Sequence, residues 1–324
     1  MNNNQNEITQ DDFKIDLVYL WVDDTDYFWK TKINKYRNDI EFFNKEAMNI
    51  CRFYNNDELK YSLRSVEKNM PWINKIFIIT DEQYPSWLNI NHEKIQIIDH
   101  KKIIPVEKLP IFNSSVIESR IPFIPELSEY FLLANDDTFV WSPVDKNFFF
   151  KKDGKVICRF DKRVNKNKLK KHLYGATIIN AYKTISSKYK IPIYACYPHH
   201  NIDSYRKSSY LECIKEFSKE FDEMLNHRFR DYKDIQRVAI SYYMLANNLA
   251  EPKFVKINWL EKMFTKGQTD SICVHVKSKN INKIKKLESK LLCINDSIGT
   301  KDKDRIEIKK YLEEKFPQKS IFEK

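Results

Sequence analysis

The chain has 324 residues, of which 42% are hydrophobic and 14% are aromatic, so it can bury a large core and wholesale disorder is excluded. Its net charge is +11, from 56 Lys and Arg against 45 Asp and Glu. This excess suits an anionic partner such as nucleic acid, an acidic membrane surface or a phosphorylated substrate. Much of it is lysine in polar stretches such as KSKNINKIKKLESK, so a solvated surface is the simpler explanation.

Glycine occurs only four times, at Gly154, Gly175, Gly267 and Gly299. These positions are too far apart for a phosphate-binding loop or a dinucleotide fingerprint, because both need glycines a few residues apart. Any bound nucleotide is therefore expected to be held by side chains, a metal ion and helix N-termini.

The six cysteines contain no C-x-x-C pair, which predicts reduced thiols of a cytosolic protein and neither disulfides nor a zinc site. The N-terminus lacks the basic and apolar pattern of a signal peptide. No apolar run reaches the roughly 18 to 20 residues of a membrane span. We therefore expect a cytoplasmic protein whose membrane association, if any, is peripheral.

The first half of the chain is predicted to alternate between strands and helices. Residues 1–13 are polar and are expected to be disordered. Short apolar runs predict strands over residues 17–22, 75–80, 94–99 and 130–134. LKYSLRSVEKNM has the spacing of an amphipathic helix that Pro71 ends, and NSSVIESR predicts a short helix before Pro122. This alternation favours a largely parallel α/β sheet.

The second half is predicted to be mainly helical. FFFKKDGKVICRF is expected to form a hairpin or an edge strand, and the lysine-rich stretch after it a surface excursion. Helices are predicted over residues 208–225 and 234–247, and in the amphipathic DRIEIKKYLEEKF near the end. The simplest organisation is one domain over residues 14–324, divided into an α/β part, a surface excursion and a helical part, at 14–145, 146–195 and 196–324.

Three apolar runs end abruptly in acids: DLVYLWVDDTD, YFLLANDDTFV and LLCINDS. In open α/β sheets ligands bind beyond the carboxyl ends of the strands, and paired acids there suggest a divalent metal that carries a phosphorylated ligand. Asp137 or Asp136 is the favoured metal ligand. Neighbouring side chains on a strand point to opposite faces, so only one of the two reaches the metal unless the backbone turns. The competing interpretation is that these acids are turn formers.

Other acids have a structural alternative of equal weight. Asp23 and Asp26 follow the first strand and either hold the ribose or base of a nucleotide or cap the next helix. Glu58 and Glu118 stand three residues after Asn55 and Ser115, which is the spacing of a capping box.

The basic candidates lie on both sides of the middle of the chain. Arg64 follows Leu63 on the amphipathic helix and faces either solvent or a phosphate. His199 and His200 are adjacent, which suits a general base but not two ligands of one zinc ion. Arg228 and Arg230 offer guanidinium groups for bidentate phosphate contact, or mark the end of a surface helix.

Four blocks of this sequence resemble the Stealth family of sugar-phosphate transferases. They are IDLVYLWVDDTD, the long stretch from RFYNNDELKYSLRSVEKNM to YFLLANDD, HHNIDSYRKS with RFRDYKDI, and CINDS with FPQKSIFE. The family includes bacterial capsule-polymer phosphotransferases and the catalytic part of lysosomal N-acetylglucosamine-1-phosphotransferase. The blocks span most of residues 15–323.

The resemblance implies a glycosyltransferase-A-like, Rossmann-type sheet with a helical second half. It also implies transfer of a hexose 1-phosphate, or an N-acetylhexosamine 1-phosphate, from a nucleotide sugar to a hydroxyl of an oligosaccharide or polysaccharide. The product is a phosphodiester, and a nucleoside monophosphate leaves. We expect a bacterial capsule polymerase that works in the cytoplasm. A peripheral contact with the inner membrane or the capsule export machinery is a further expectation.

The resemblance and the residue chemistry together assign the site. Mg²⁺ or Mn²⁺ is expected on Asp137, with Asp136 and Asp296. His200 is the first choice of general base, and His199, Glu58 and Glu118 stay open as alternatives. Arg228 and Arg230 are expected to neutralise the negative charge of the transferred phosphate. The predicted donor-binding residues are Trp21, Asp23, Asp26, Arg52, Asp57 and Arg64.

Two rival functions are less favoured. A conventional metal-dependent glycosyltransferase would release a nucleoside diphosphate in place of the monophosphate. A nucleic-acid-binding module would need basic residues interleaved with exposed aromatics, whereas the aromatics here mostly sit in apolar runs. We therefore expect no nucleic-acid partner.

Overall fold

The structure is a computed structural model that describes residues 13–37, 53–164, 173–255, 270–286, 288–297 and 299–324. The predicted disordered N-terminus lies outside the described residues except for Phe13, and so does Arg52. Most of the lysine-rich stretch before residue 172 also lies outside them. Within the described residues, no helix is both long enough and apolar enough to cross a bilayer.

A five-stranded sheet forms the first layer of the fold. Its strands in chain order are β1 (Ile15–Leu20), β2 (Ile76–Thr80), β3 (Ile95–Asp99), β4 (Tyr130–Asn135) and β8 (Asp203–Arg206). The spatial order is β3-β2-β1-β4-β8, in which the first four strands are parallel and β8 runs antiparallel to β4. Nearly all of β1 and all of β2 are buried, as expected for strands covered on both faces. The predicted α/β class with a parallel sheet is confirmed.

Two three-stranded sheets complete the β structure. One has the order β10-β11-β5, with β5 at Thr138–Val140, β10 at Ser271–His275 and β11 at Leu291–Asn295. The other has the order β7-β6-β9, with β6 at Val156–Arg163, β7 at Cys196–Pro198 and β9 at Ala250–Phe254. The predicted hairpin is reduced to a bridge between Phe150 and Val156, and β6 is a central strand rather than an edge.

Helices cover these sheets. Their bounds are α1 Tyr27–Arg37, α2 Glu58–Asn69, α3 Ser114–Ser119, α4 Leu173–Ser186, α5 Lys207–Glu216, α6 Ser218–Met224, α7 Val238–Ala246, α8 Ile281–Ile284 and α9 Asp302–Lys315. The helix predicted over residues 208–225 is two helices, because Phe217 adopts non-helical φ −110° and ψ 36° between them. The second half contains the predicted helices and several short strands as well.

The described parts of the segment predicted as a surface excursion, residues 146–195, contain buried helix and strand residues. They carry β6 and α4, and several α4 side chains are buried, including Leu173, Ile178 and Ile185. The sequence signal was the surrounding lysines, which say little about a buried helix face.

The turn between β4 and β5 links the first sheet to the second. Asp136 and Asp137 form this turn, and β5 then pairs antiparallel with β11. The backbone N–H of Ile294 donates to the Asp137 carbonyl at 3.0 Å. The carboxyl end of β4 and the carboxyl end of β11 therefore meet at one edge.

Helix α2 packs against β5 through polar groups as well as apolar ones. The Ser62 hydroxyl donates to the Thr138 carbonyl at 2.5 Å, and the Asn69 amide donates to the Val140 carbonyl at 2.6 Å. The predicted apolar stripe of α2 is buried. These contacts fix the axis of α2 so that its N-terminal residue, Glu58, lies beside the acidic turn.

Candidate active site

Three carboxylates gather where β4, β5 and the start of α2 meet. Burial first, and then the neighbouring Asp137, raises the pKa of Asp136 to about 7. Burial first, and then the Asp136 carboxylate, raises the pKa of Glu58 to about 8. Within the described part of the chain, none of the three carboxylates forms a salt bridge to lysine or arginine. The site therefore gathers three carboxyl groups that no lysine or arginine of the described residues neutralises.

The Asp137 carboxylate is the centre of this group. Its Oδ2 accepts a hydrogen bond from the Asn295 amide at 3.2 Å, and the Cys293 thiol lies 3.5 Å away. Its Oδ1 is buried and has no hydrogen-bond partner among the described residues. Burial raises the pKa of Asp137, and His200 acts in the opposite direction. An unpaired buried carboxylate oxygen is what an absent ion or water would explain.

The chemistry of these donors fits a hard divalent cation. Ligand atoms of Asp137, His200 and Cys293 lie within 4.8 Å of one another. Burial raises the pKa of the Cys293 thiol well above its ordinary value. Thiols are soft ligands, which Mg²⁺ and Mn²⁺ do not favour. Carboxylate oxygens, by contrast, suit Mg²⁺ or Mn²⁺. Asp137, at the centre of this cluster, therefore fits a divalent metal.

The two adjacent histidines occupy different environments. His199 is buried, and its two ring nitrogens lie 2.8 Å from the Asp161 carboxylate and 2.8 Å from the Ser271 hydroxyl. His200 faces the acids: its Nε2 lies 3.2 Å from the Asn295 amide and 3.5 Å from the Asn135 amide. Burial lowers the pKa of His200, which favours a neutral imidazole at neutral pH.

Glu118 lies in a buried ion network behind His200. Its Oε1 accepts a hydrogen bond from Arg237 Nη1 at 2.8 Å, and Arg237 also contacts the Asp203 carboxylate at 2.9 Å. Burial acts to lower the pKa of Arg237, but Glu118 and Asp203 outweigh it and the pKa is raised. Asp203 and Arg237 also act electrostatically on His200. The network supports the histidine rather than adding a free base.

The two predicted phosphate-binding arginines are both half-buried but differ in their contacts. Arg228 is partly exposed, donates from Nε to the Pro110 carbonyl at 2.8 Å, and stacks over the Tyr36 ring at 4.0 Å. Arg230 donates to the Ser114 hydroxyl. Burial first lowers the pKa of Arg230, and Glu118 opposes that shift. Arg230 therefore adjoins the network behind His200, whereas Arg228 borders the cluster around α1.

The first strand ends in turn and capping contacts. The Asp26 Oδ1 accepts from the Trp29 N–H at 2.7 Å, which caps α1. The Asp23 Oδ1 accepts from both the N–H and the hydroxyl of Thr25, at 2.9 and 2.7 Å. Trp21 is buried, and its N–H donates to the Ile79 carbonyl. Of the two readings left open for Asp26, the capping one describes its contacts.

Three further predicted residues are bound to the C-terminal part of the chain. Arg64 donates from Nε and Nη2 to the Glu323 carboxylate, each at 2.7 Å, and from Nη1 to the Phe316 carbonyl. Asp57 accepts from Lys309 at 2.6 Å. Asp296 accepts from Arg305 Nε at 2.8 Å and from the Ser297 N–H. The structure thus brings together Glu58, Asp136, Asp137 and His200, and engages these three elsewhere.

Neither predicted capping box is formed. Helix α2 has Asp57 at its N-cap, in a left-handed conformation with φ 61°, and Glu58 accepts from the Asn56 N–H. Helix α3 is capped by Asn113, whose side chain accepts from the Ser115 N–H. The capping spacing was therefore misleading at both places. Glu58 is left with its carboxylate beside Asp136.

No individual role was predicted from the sequence for Asn135, Asn295 or Arg237, which contribute to the site. Asn135 and Asn295 lie inside the strand-then-acid runs, but the predicted roles went to the neighbouring aspartates. Their amides, not the Asp296 carboxylate, face His200 and Asp137. Arg237 carried no local signal, because its partners Glu118 and Asp203 are distant in the sequence.

Comparison with known proteins identifies relatives over most of the chain. Residues 52–158 match the profile of Stealth protein CR2, conserved region 2. The capsular polysaccharide phosphotransferase LcbA of Aeromonas hydrophila is 37% identical over 69% of this chain, and SacB of Neisseria meningitidis serogroup A is 32% identical over 96%. The chain spans 63% and 57% of the lengths of these two relatives.

Two of the solved structures that match this chain in part are glycosyltransferases. GlyE of Streptococcus pneumoniae matches with a TM-score of 0.42 and 9% identity, over 89% of this chain and 56% of its own. The galactosyltransferase LgtC matches with a TM-score of 0.45 and 7% identity, over 94% of this chain and 96% of its own. Similarities of this size say nothing about donor or product.

One relative matches along its whole length. The exopolysaccharide phosphotransferase cps2G of Lactiplantibacillus plantarum is 30% identical, and the match covers 98% of this chain and 98% of that protein. On this match and the CR2 region, the chain belongs to the Stealth family, whose curated relatives are named capsular and exopolysaccharide phosphotransferases.

Proposed function

We propose that this chain transfers a sugar 1-phosphate from a nucleotide-activated sugar to a hydroxyl of a glycan acceptor in capsule or exopolysaccharide synthesis. The acceptor oxygen attacks the phosphorus next to the sugar. The bond to the bridging oxygen of the pyrophosphate breaks, a phosphodiester forms, and a nucleoside monophosphate leaves. The proposal is supported by the names of the relatives and by one observation on this chain.

That observation is the meeting of His200 with Asp137, Asp136 and Glu58 at the joint edge of two sheets. Phosphoryl transfer needs charge neutralisation and positioning more than it needs a covalent intermediate. A carboxylate cluster without basic partners supplies a place for a cation, and a neutral buried imidazole supplies a base. The contacts described above bring both to one place.

In this proposal His200 takes the proton of the acceptor hydroxyl at Nε2. The Asn295 and Asn135 amides orient the ring in the absence of substrate. The imidazolium that forms is stabilised by the adjacent Asp137 carboxylate. His199 is not assigned as the base, because both of its ring nitrogens are engaged by Asp161 and Ser271. Glu118 is not assigned either, because Arg237 holds its carboxylate.

We assign the divalent metal, Mg²⁺ or Mn²⁺, to Asp137, whose carboxylate clusters with His200, and keep the neighbouring Asp136 as a second oxygen donor. When bound, it would neutralise pyrophosphate charge. Asp296 is not among the assigned ligands, since Arg305 and the Ser297 N–H use both of its oxygens. Its place in the proposal is to fix the end of β11 and hence Asn295.

Arg228 and Arg230 are assigned to the negative charge of the donor, with Arg52 as a further candidate outside the described residues. We propose that four predicted residues line the edge of the donor site and shape it through their backbone contacts: Trp21, Asp23, Asp26 and Asp57. Arg64 is given a structural place, because its donors are used by Glu323 and Phe316.

Product analysis tests the proposal. Purified protein with Mg²⁺ is incubated with a panel of nucleotide sugars and capsule oligosaccharides, and the nucleotide released is identified. Nucleoside monophosphate and a ³¹P signal of a phosphodiester are expected. Release of nucleoside diphosphate would instead establish a conventional glycosyltransferase.

A peripheral position at the inner face of the bacterial membrane stays part of the proposal and is supported only by the net charge of +11. Co-sedimentation with acidic and with neutral vesicles tests this, because charge-driven binding should recover more protein with the acidic vesicles. Equal recovery with both vesicle types would remove this part of the proposal and leave the catalytic part untouched.

A further inference from the structure

A cavity of about 290 Å³ lies at the other end of the strands that build the acid site. Its lining includes Lys290, directly before β11, and Pro143, shortly after β5. Asp137 and Asn295 lie at the opposite ends of these same two strands. Five residues of β11 at about 3.3 Å each separate the cavity from the acid cluster by roughly 17 Å. The cavity is therefore distinct from the site described above.

A buried arginine forms part of the cavity wall. The Arg159 side chain is 3% exposed, stacks on the Phe148 ring with 3.6 Å from its guanidinium carbon to the ring centroid, and donates from Nη2 to the Phe148 carbonyl at 2.6 Å. Its Nε has no hydrogen-bond partner within the described part of the chain. The nearest carboxylate, that of Asp270, is 3.9 Å from Nη2. This guanidinium is thus buried with an incomplete set of partners, which points to a missing anion or water.

Two exposed lysines add to the positive charge. Lys253 pairs with Asp270, and the Lys290 ammonium donates to the Pro143 carbonyl at 2.7 Å. Asp145 is a carboxylate of the lining itself. Three cationic groups therefore stand against two carboxylates around one cavity, and the balance favours a single negative charge. The unpaired Nε of Arg159 and the two lysine ammonium groups are donors of the kind that bind phosphate oxygens.

We propose that this basic pocket, formed by Phe148, Arg159, Lys253 and Lys290, binds a phosphodiester of the acceptor chain. The inference rests on the proposed function, since a polymer made by repeated transfer of sugar 1-phosphate carries one phosphodiester per repeat. Its ligand is a phosphate monoanion with an apolar or sugar flank, which matches one excess positive charge beside an aromatic ring. The pocket holds a link already made while the chain end reacts at His200.

Direct binding tests the pocket without turnover. The probes are inorganic phosphate and a short poly(glycerol phosphate) oligomer, and calorimetry compares the wild type with Lys253→Gln/Lys290→Gln. The matched control, Lys215→Gln/Lys219→Gln, removes the same charge from two exposed helical lysines elsewhere. The pocket variant should bind the oligomer about tenfold more weakly, and the control should bind it as the wild type does.

The outcomes distinguish an acceptor chain from free phosphate as the ligand. They also distinguish failure of the pocket from failure of the proposed function. Tighter binding of the oligomer than of phosphate supports an acceptor chain, whereas equal binding overturns that assignment. Equal loss in the pocket variant and in the control overturns the pocket, because net charge then explains the effect. If the oligomer binds at the pocket but no monophosphate is ever released, the proposed function fails and the phosphodiester pocket survives.

Turnover gives an independent readout. In the pocket variant, KM for long phosphodiester acceptors should rise about tenfold, while kcat and KM for a one-repeat acceptor stay unchanged. An equal rise of KM for both acceptors would overturn the inference, because a one-repeat acceptor is too short to span the roughly 17 Å between the sites.

Discussion

The ion pair between Arg64 and Glu323 makes a prediction that separates stability from donor binding. Replacing Glu323 with alanine leaves the Arg64 guanidinium buried, with only the Phe316 carbonyl from its former partners. The two side chains are only 8% and 2% exposed, and the pair is bidentate. Breaking a buried pair by removing one partner costs about 3 to 5 kcal/mol. We expect Glu323→Ala to lose free energy of unfolding of that order.

The assay is urea unfolding followed by tryptophan fluorescence, with thermal melting as a second readout. The control is Glu314→Ala, an exposed position on α9 for which only a small change is expected. At roughly 2 °C per kcal/mol for a chain of this length, the Tm should fall by about 6 to 10 °C. A loss below about 1 kcal/mol would refute the reasoning, because it would mean that the pair behaves like a solvated one.

The pH dependence of this effect has a fixed sign. Burial alone would raise the pKa of Glu323, but the hydrogen bonds from Arg64 outweigh it, so the pKa lies below its ordinary value of 4.5. A depressed pKa gives stability that is present above about pH 4.5 and lost as the pH falls through the folded value. The difference between wild type and variant should therefore be full at pH 7 and shrink below pH 4.5. At a temperature where Glu323→Ala stays folded, its KM for the nucleotide-sugar donor should equal that of the wild type.

Three other variants test the site. Asp137→Asn should lower kcat by about 100-fold or more and remove the rise in Tm caused by Mg²⁺, with the fold retained; a Tm that still responds to Mg²⁺ would move the metal elsewhere. His200→Ala should lower kcat by about 10²- to 10⁴-fold with little change in donor affinity measured by calorimetry, and a loss of affinity alone would argue against a base. Glu118→Gln should cost about 1 to 3 kcal/mol of stability by weakening the Arg237 network while kcat falls much less than in His200→Ala; equal losses of kcat would give Glu118 a direct catalytic part.

Much of the first sheet follows from local pattern. The apolar runs of β1 and β2 have the length and flanks of buried strands, and the stripe on α2 has helical spacing with a proline at its end. The prediction of acids at strand ends also found Asp136 and Asp137. The prediction works here because the carboxyl ends of parallel strands lie at the same edge of a sheet, so an acid that follows a strand is placed at that edge.

Partners distant in the sequence explain what could not be predicted. Arg64 and Glu323 are 259 residues apart, and Lys309 is 252 residues from Asp57. A charged side chain looks the same in sequence whether it meets a phosphate or a buried carboxylate. The spacing of Asn55 and Glu58 gave a wrong capping-box prediction, because Asp57, in a left-handed conformation, is the N-cap of α2.

The pairing of β5 with β11 also sets the order in which activity can arise during synthesis. Ile294 hydrogen-bonds to Asp137 across 157 positions of sequence, so the Asn295 amide reaches the acids only after nearly the whole described chain has emerged. The parallel core of β1, β2, β3 and β4 needs only the first 135 residues and can form earlier. A nascent chain can therefore form this parallel core before it has a complete acid cluster, and unfinished chains are not expected to be active.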